Sequence, residues 1–147
     1  MTLETAIAEA KATGRAQAVV DAIPYMGFLG LAIEDTAEGP VAVLPAEPKL
    51  IGNPTLPALH GGVVGALLES AAVIHLIWSQ DIVQVPKIIN ITVEYLRPAG
   101  PKPTRARGLV TKHGRRVANV QVEAWQDDPA KPVAIAYAHF LLRQPAA

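Results

Sequence analysis

Residues 59–80, LHGGVVGALLESAAVIHLIWSQ, form the most apolar stretch of this 147-residue chain. Residues 58–85 contain no proline, so nothing in the stretch prevents a continuous helix. The period of the apolar residues predicts one long helix over residues 60–79 that is hydrophobic nearly all round. The positions that follow helical spacing are Val63, Leu67, Ala71, Ile74 and Trp78.

This helix needs cover on every side, either from a membrane or from other parts of a protein. The run is a little short of the ~20 apolar residues that a membrane span needs, and Glu69 and His75 interrupt it. No Lys or Arg flanks it closely on either side. We therefore expect a buried helix in a soluble domain and no membrane span.

Downstream of the helix, apolar and polar residues alternate in three segments, a period that predicts half-buried strands. Gly114, at the centre of KHGRR, predicts a hairpin turn between strands at 104–112 and 115–126, and DDPAK at 127–131 is expected to turn the next pair. Residues 85–143 are therefore predicted to form antiparallel strands. The apolar residues of the three alternating segments are Ile89, Ile91, Val93 and Tyr95; Ala118, Val120, Val122 and Ala124; and Ala134, Ala136 and Ala138.

The residues before the long helix predict a helix and one strand pair. Residues 3–20 have a helical pattern, although Gly14 disfavours an unbroken helix. Residues 28–35 and 40–46 are predicted to pair as strands across the turn residues EGP.

We expect one α+β domain over residues 1–147, with an N-terminal helical segment at 1–22. In this arrangement an antiparallel sheet wraps the central helix and turns its small alanines towards it. A second copy of the chain is expected to provide the remaining cover.

Composition excludes several kinds of protein. The formal net charge is zero, which argues against nucleic acid as the main partner. The chain has no cysteine, so it has no disulfide, thiolate metal site or cysteine nucleophile. No histidine pair has metal-ligand spacing backed by other ligands, and we predict no metal. The start of the sequence shows neither a basic leader nor an apolar core of a signal peptide, so a cytoplasmic protein is expected.

The helix is predicted to begin at His60-Gly61-Gly62. Backbone N–H groups in a first helical turn have no partner within the helix, and the helix dipole is positive there. Glycine has no side chain to keep a ligand away from these donors, which could bind an oxyanion during acyl transfer. Alternatively, the two glycines only allow a tight entry into the helix.

Glu69 is the one carboxylate of this apolar helix. Three of its neighbours at helical spacing are small, namely Gly65, Ala66 and Ala72, while Val73 is larger. Small neighbours leave room for a molecule to approach, and a carboxylate between apolar walls is a usable general base or nucleophile. The alternative is a structural hydrogen-bonding role.

Gly61 and Glu69 are too far apart on one helix to act on one carbonyl group. Eight residues at ~1.5 Å per residue separate them by roughly 12 Å. If two chains pair their helices antiparallel about a two-fold axis, the glycine turn of one meets the glutamate of the other. Such a site requires a dimer and occurs twice in it.

Four segments of the sequence resemble a known family. LHGGVVGALLESAA (59–72), YLRPAG (95–100), KHGRRVANVQVEAW (112–125) and AIAYAHFLL (134–142) are similar to hotdog-fold acyl-CoA thioesterases of the phenylacetate-degradation (PaaI-like) type. The resemblance covers about residues 25–142. It implies a hotdog fold, in which a curved antiparallel sheet wraps one long helix, and a dimer that is often paired again into a tetramer.

The resemblance also implies roles for individual residues. Glu69 is the catalytic acid, Gly61 offers its backbone N–H to the thioester oxygen and Gly62 shapes the turn. His60 orients this loop or contacts the substrate. The substrate is an acyl-CoA, so coenzyme A is part of the substrate and no separate cofactor is implied.

Two positions depart from the family pattern. Many members have Asn or Gln six residues before the histidine, where this chain has Pro54, and the adjacent Asn53 could replace that residue only if the loop shifts. On the strand that precedes YLRPA, Ile88 stands where relatives often have a small hydroxyl residue. The phosphates of coenzyme A need cations. Six lie at strand ends and turns: Arg97, Lys102, Arg105, Lys112, Arg115 and Arg116.

Two other functions remain open. A hotdog protein that binds acyl-CoA without hydrolysing it is favoured by Pro54 and Ile88, and the presence of Glu69 argues against it. A dehydratase or hydratase of the same fold is suggested by GNPTLPA, which faintly resembles the loop of acyl-carrier-protein dehydratases. The positions of that family's catalytic histidine and acid are occupied here by Lys49 and Val63.

Overall fold

The structure is a computed structural model, which describes residues 2–142. Residues 1 and 143–147 of the predicted domain, including the last residue of the predicted strand region, lie outside the described residues. The helices are α1 (Leu3–Thr13), α2 (Gln17–Ala22), α3 (Pro24–Leu29) and α4 (Gly61–Ser79), with a short 3-10 helix at Pro48–Leu50. The strands are β1 (Ala32–Thr36), β2 (Gly39–Leu44), β3 (Ile51–Asn53), β4 (Ala58–Leu59), β5 (Lys87–Tyr95), β6 (Thr104–His113), β7 (Val117–Trp125) and β8 (Ala134–Leu141).

Six strands form one antiparallel sheet in the order β1-β2-β6-β7-β8-β5. The sheet wraps the long helix α4, which packs mainly against β2, β6, β7 and β8. Strands β3 and β4 form a separate two-stranded sheet directly before α4. The predicted fold, an antiparallel sheet around a central apolar helix, is confirmed.

Small residues on the inner face of the sheet allow α4 to lie close to the strands. Every predicted inner position of β7 and β8 is buried, which confirms the alternation in both strands. Because alanine extends only one carbon from the backbone, the larger side chains of the helix occupy the space between helix and sheet. The inner alanines are Ala106, Ala118, Ala124, Ala134, Ala136 and Ala138.

Helix α4 is long and apolar enough to cross a membrane by length and composition. However, 61% of its most apolar window is buried inside the fold. The strands cover that surface, as they do around the core helix of a soluble protein. The helix therefore gives only weak evidence for a membrane span.

Strand β5 departs from the predicted alternation at its beginning. Its pairing with β8 shifts between Ile88 and Asn90, so Ile88 lies opposite Phe140 and is partly buried while Ile89 is 57% exposed. The prediction that Ile89 shares the inner face was wrong, because one extra residue in a strand moves its neighbour to the other face. Ile91 and Val93 pack against the core as predicted.

The N-terminal segment forms two short helices, α1 and α2, in place of the predicted helix at 3–20, and α3 follows them. Gly14 ends α1 in a left-handed conformation, with φ of 71°, and its N–H donates to the Ala10 carbonyl. Glycine adopts this conformation without steric cost, which is why helices commonly end there. The predicted first strand at 28–35 was also too long, because α3 continues to Leu29 and β1 begins at Ala32.

Candidate active site

The first turn of α4 has one backbone donor for which residues 2–142 provide no acceptor. The N–H groups of Val63 and Val64 donate to the His60 carbonyl at 2.9 and 3.1 Å. The Gly62 N–H donates to Nδ1 of His60 at 2.9 Å. Within residues 2–142, the Gly61 N–H makes no hydrogen bond. Gly61 therefore offers the free donor that the sequence predicts at this turn.

His60 is the N-cap of α4 and is held from both sides. Its backbone N–H donates to the Leu50 carbonyl at 2.9 Å. The β3–β4 pair brings Gly52 so close that a Cβ there would lie 2.6 Å from Cα of His60. Because Nδ1 accepts the Gly62 N–H, a neutral His60 carries its proton on Nε2. The loop-orienting role predicted for His60 therefore has a geometric basis.

A cavity of about 470 Å³ opens beside Gly61. Its polar lining comes from the backbone of Gly61 and from the side chains of Asn53, Tyr95 and Arg97. One end can thus bind an anion through Arg97, while the walls suit a hydrocarbon chain. The remaining lining residues are apolar: Leu56, Ala58, Leu59, Val64, Leu96, Pro98, Ala99 and Val133.

Asn53 lies in this cavity, but its side-chain oxygen is occupied by the loop. Oδ1 of Asn53 accepts the N–H groups of Thr55 and Leu56 at 3.0 and 3.2 Å. Such a turn holds the segment that contains Pro54. The amide nitrogen of Asn53 is the group that remains to contact a ligand in place of the missing side chain at position 54.

Glu69 lies half-buried in the middle of α4, beside a second cavity of about 210 Å³. Apolar side chains make up most of its walls, and Ser70 and Tyr25 add hydroxyl groups. The segment around α3 supplies one side of this cavity, which sequence analysis did not foresee. Gly61 and Glu69 therefore line different cavities, in agreement with their separation along the helix. The apolar walls are formed by Ile23, Met26, Ala66, Val73, Val85 and Pro86.

The six predicted cationic residues do not meet at one place. Arg97 lies in the cavity beside Gly61, whereas Lys102 pairs with Asp127 and Arg105 pairs with Glu34 at 2.7 Å. The others, Lys112, Arg115 and Arg116, lie near the turn between β6 and β7. This turn is at the far end of a ten-residue strand, roughly 30 Å from its start at ~3.3 Å per residue. Within one chain, they cannot share a ligand phosphate with Arg97.

His75 occupies a separate position between α4 and the sheet. Its side chain is only 8% exposed, and Nδ1 has no hydrogen-bond partner within the described part of the chain. A Cβ on Gly108 would lie 3.1 Å from Cβ of His75, so glycine there makes room for the histidine. A cavity of about 380 Å³, lined also by Glu38, Arg107 and Glu123, adjoins the ring. Burial, and secondarily the nearby Arg107, lower the pKa of His75 below its usual 6.5.

The lowered pKa predicts acid sensitivity of the fold. As pH falls through 6.5, the unfolded chain gains a proton at His75 before the folded chain does, so the free energy of unfolding decreases. His75→Gln, which cannot titrate, should lose less stability than wild type between pH 7.5 and pH 5.5. Urea unfolding at the two pH values measures this, with the exposed His113→Gln as the control. Equal losses in wild type and His75→Gln would contradict the prediction.

The comparisons with known proteins agree with this architecture. The family model for the acyl-CoA thioesterase N-terminal domain matches residues 52–141, and the chain therefore belongs to this thioesterase family. The match spans the Gly61 turn, Glu69 and strands β5 to β8. A comparison with curated proteins finds no match.

Solved structures show the same fold. A Chromobacterium violaceum protein is 40% identical, with a TM-score of 0.76 over 93% of this chain and 96% of the other. A phenylacetic acid degradation-related protein of Ralstonia eutropha is 25% identical, with a TM-score of 0.72 over 86% and 98%. A Bacillus halodurans protein solved with CoA is 19% identical, with a TM-score of 0.75 over 98% and 93%. The resemblance to PaaI-like hotdog thioesterases is confirmed.

Three residues of this region were not predicted from the sequence. Tyr95 contacts the Gly61 turn, Tyr25 lines the Glu69 cavity and Gly52 packs on His60. The sequence could have indicated Tyr95, because this residue ends an alternating strand and lies on its apolar face. No comparable pattern indicated Gly52 or Tyr25, because β3 and α3 are too short to show a period in the sequence.

Proposed function

We propose that the protein hydrolyses an acyl- or aryl-CoA thioester to the free acid and CoA. The observation that supports this most strongly is the unused Gly61 N–H at the positive end of an apolar helix, inside a cavity of a thioesterase-family fold. A donor in this position can stabilise the negative charge that develops on the thioester oxygen. Gly62 and His60 keep the donor in place through the hydrogen bond between them.

Glu69 supplies the second part of the reaction. As a general base it takes a proton from water, the water oxygen bonds to the thioester carbon and the CoA thiolate leaves and is protonated. As a nucleophile it bonds to that carbon first and the C–S bond breaks, so the CoA thiolate leaves and is protonated; water then cleaves the resulting anhydride to the free acid and the carboxylate of Glu69. Both routes need an ionised carboxylate beside the acyl carbon. The cavity around Glu69 provides apolar walls for the acyl group.

The active unit in this proposal is a two-fold dimer. Because Gly61 and Glu69 lie roughly 12 Å apart on one helix, the acid that acts beside Gly61 comes from the second chain. Two equivalent sites result, each with a glycine turn from one protomer and a carboxylate from its partner. A tetramer would contain two such dimers.

Coenzyme A is expected to enter along the cavity beside Gly61. Arg97 is the cation that lines this cavity, and its guanidinium can pair with a phosphate. Lys112, Arg115 and Arg116 could reach the same nucleotide only from another chain. The Bacillus halodurans protein solved with CoA has this fold, which fits a CoA ester as the substrate.

The direct test is release of free thiol from a panel of aryl- and aliphatic-CoA thioesters. Hydrolysis of at least one ester supports the proposal, whereas no thiol release across the panel would overturn it. The second candidate, a protein that binds acyl-CoA without hydrolysis, is favoured by Pro54 and by the loop bonds that occupy Asn53. Tight binding of an uncleaved ester would identify that function.

Subunit mixing tests the shared site. Gly61→Pro removes the donor N–H and Glu69→Gln removes the carboxylate, so neither homodimer has an intact site. A heterodimer of the two variants has one intact site and one that lacks both groups, so it should recover about half of the wild-type activity. Co-expression with two different tags and tandem purification isolates it, with doubly tagged wild type as the control. If both groups act from one chain, no activity returns.

A further inference from the structure

Tyr95 connects the edge of the sheet to the first turn of α4. It is the last residue of β5, lies opposite Ala134 and turns its side chain towards the helix. Its hydroxyl donates to the Gly61 carbonyl at 2.7 Å, across 34 residues of sequence. The side chain is 57% exposed and lines the cavity beside Gly61. An exposed tyrosine thus makes a specific contact at the candidate site.

The ring rests on a helix surface that has no side chains. A Cβ on Gly61 would lie 3.5 Å from the Tyr95 ring and hydroxyl, and a Cβ on Gly65 would lie 3.7 Å from that hydroxyl. Gly61 and Gly65 therefore present bare backbone to the tyrosine.

Bare backbone makes the first turn intrinsically unstable. Gly61, Gly62 and Gly65 are three of the first five helical residues, and glycine disfavours a helix relative to alanine. Glycine also has the widest backbone freedom of any residue. A turn built from glycines needs contacts from outside to hold its donor in one direction.

Two side chains supply these contacts to the same peptide group. The Gly61 carbonyl and the Gly62 N–H belong to one peptide plane. Tyr95 holds its oxygen at 2.7 Å and Nδ1 of His60 holds its N–H at 2.9 Å. With both ends fixed, rotation about the Gly61 backbone is restricted, and so is the direction of the adjacent Gly61 N–H.

We propose that Tyr95 is a positioning residue for the Gly61 donor, acting through the Gly61–Gly62 peptide. This inference rests on the proposed thioesterase function. Tyr95 contributes no proton to the reaction in this role; it keeps the donor aimed at the developing oxyanion. Catalysis at such a site depends strongly on geometry, because a small misplacement of the donor reduces the rate strongly.

The test is Tyr95→Phe, which keeps the ring and removes the hydroxyl. Loss of this one hydrogen bond should lower kcat by roughly threefold to tenfold. KM should stay within about twofold and the pH profile of kcat should be unchanged, because the Tyr95 hydroxyl takes no part in proton transfer in this role. Tyr137→Phe is the matched control, since Tyr137 lies in β8 and is also exposed.

Nuclear magnetic resonance gives a readout that does not depend on turnover. The Gly61 carbonyl-carbon and Gly62 amide signals should shift in Tyr95→Phe and stay unchanged in Tyr137→Phe. If wild type is active but Tyr95→Phe lowers kcat by less than twofold, the positioning role is overturned and the proposed function is not. Equal effects of Tyr95→Phe and Tyr137→Phe would have the same meaning. A loss of kcat matched by an equal loss of folded protein would overturn it as well. A wild type that cleaves no thioester would overturn the proposed function and this role with it, even if the signals shift.

Discussion

Gly61→Pro should lower kcat for thioester hydrolysis by about 100-fold to 1000-fold, the usual effect of removing one oxyanion donor. Proline has no backbone N–H, so the substitution deletes the proposed donor. The fold should tolerate it, because Gly61 is the first residue of α4, where proline is favoured and where no intrahelical bond is lost. The preceding residue also suits a proline, since His60 is already extended with ψ of 132°.

Gly61→Ala is the matched control for this experiment. It keeps the N–H and adds a methyl group at ordinary contact distance, 3.5 Å, from the ring of Tyr95. Steady-state thiol release and thermal unfolding by circular dichroism should be measured on both variants. If folded Gly61→Pro keeps more than a tenth of the wild-type kcat, the Gly61 N–H is not the oxyanion donor.

Glu69→Gln should reduce kcat by about 100-fold or more, equivalent to about 2.7 kcal/mol of barrier. Glutamine has nearly the same shape, so the half-buried position and the cavity beside it should be preserved. The amide can neither take a proton from water nor attack the thioester carbon. The loss should therefore appear in kcat, with little change in the affinity for a CoA ester.

Glu94→Gln provides the comparison for this second variant, since Glu94 is an exposed acid on β5. Thiol release from the best substrate of the panel, together with calorimetric binding of CoA, separates turnover from affinity. A Glu69→Gln protein that hydrolyses within tenfold of wild type would exclude Glu69 from the chemical step. Weakened CoA binding with unchanged kcat would assign it to substrate binding.

The central helix was predictable because several sequence features indicate it. A proline-free window, apolar residues at helical spacing and a glycine turn all indicate a helix at 60–79, and the structure has it at Gly61–Ser79. The alternation of β7 and β8 was equally clear, since each strand buries one face and exposes the other. An alternation that continues over about nine residues rarely arises by chance.

The predictions of secondary structure were wrong where a single residue changes the backbone geometry. The shift between Ile88 and Asn90 reverses which isoleucine faces the core, and alternation alone cannot reveal an extra residue. Gly14 was noted as a weak point, but only three-dimensional packing decides whether a glycine ends a helix or is absorbed by it.

The site was predictable in its parts but not in its assembly. The free donor at Gly61 and the carboxylate of Glu69 follow from the residues and their spacing. Which cations approach the cavity does not, because Arg97 and Arg116 look alike in sequence and lie at opposite ends of the sheet. The contact of Tyr95 with Gly61 also depends on how the strand meets the helix across 34 residues.

The alanine-lined inner face of the sheet reverses the mutational sensitivity expected of a protein core. Cores usually lose stability when large side chains are shortened, but Ala118, Ala136 and Ala138 have almost nothing to remove. Enlargement is the damaging direction here, and inserting extra methylenes typically costs about 1–3 kcal/mol by forcing the layers apart. Since α4 bears both Gly61 and Glu69, a bulkier strand residue would displace the helix and both groups with it. Substitutions that are distant from the site in sequence and hidden from solvent can therefore alter activity before they unfold the chain.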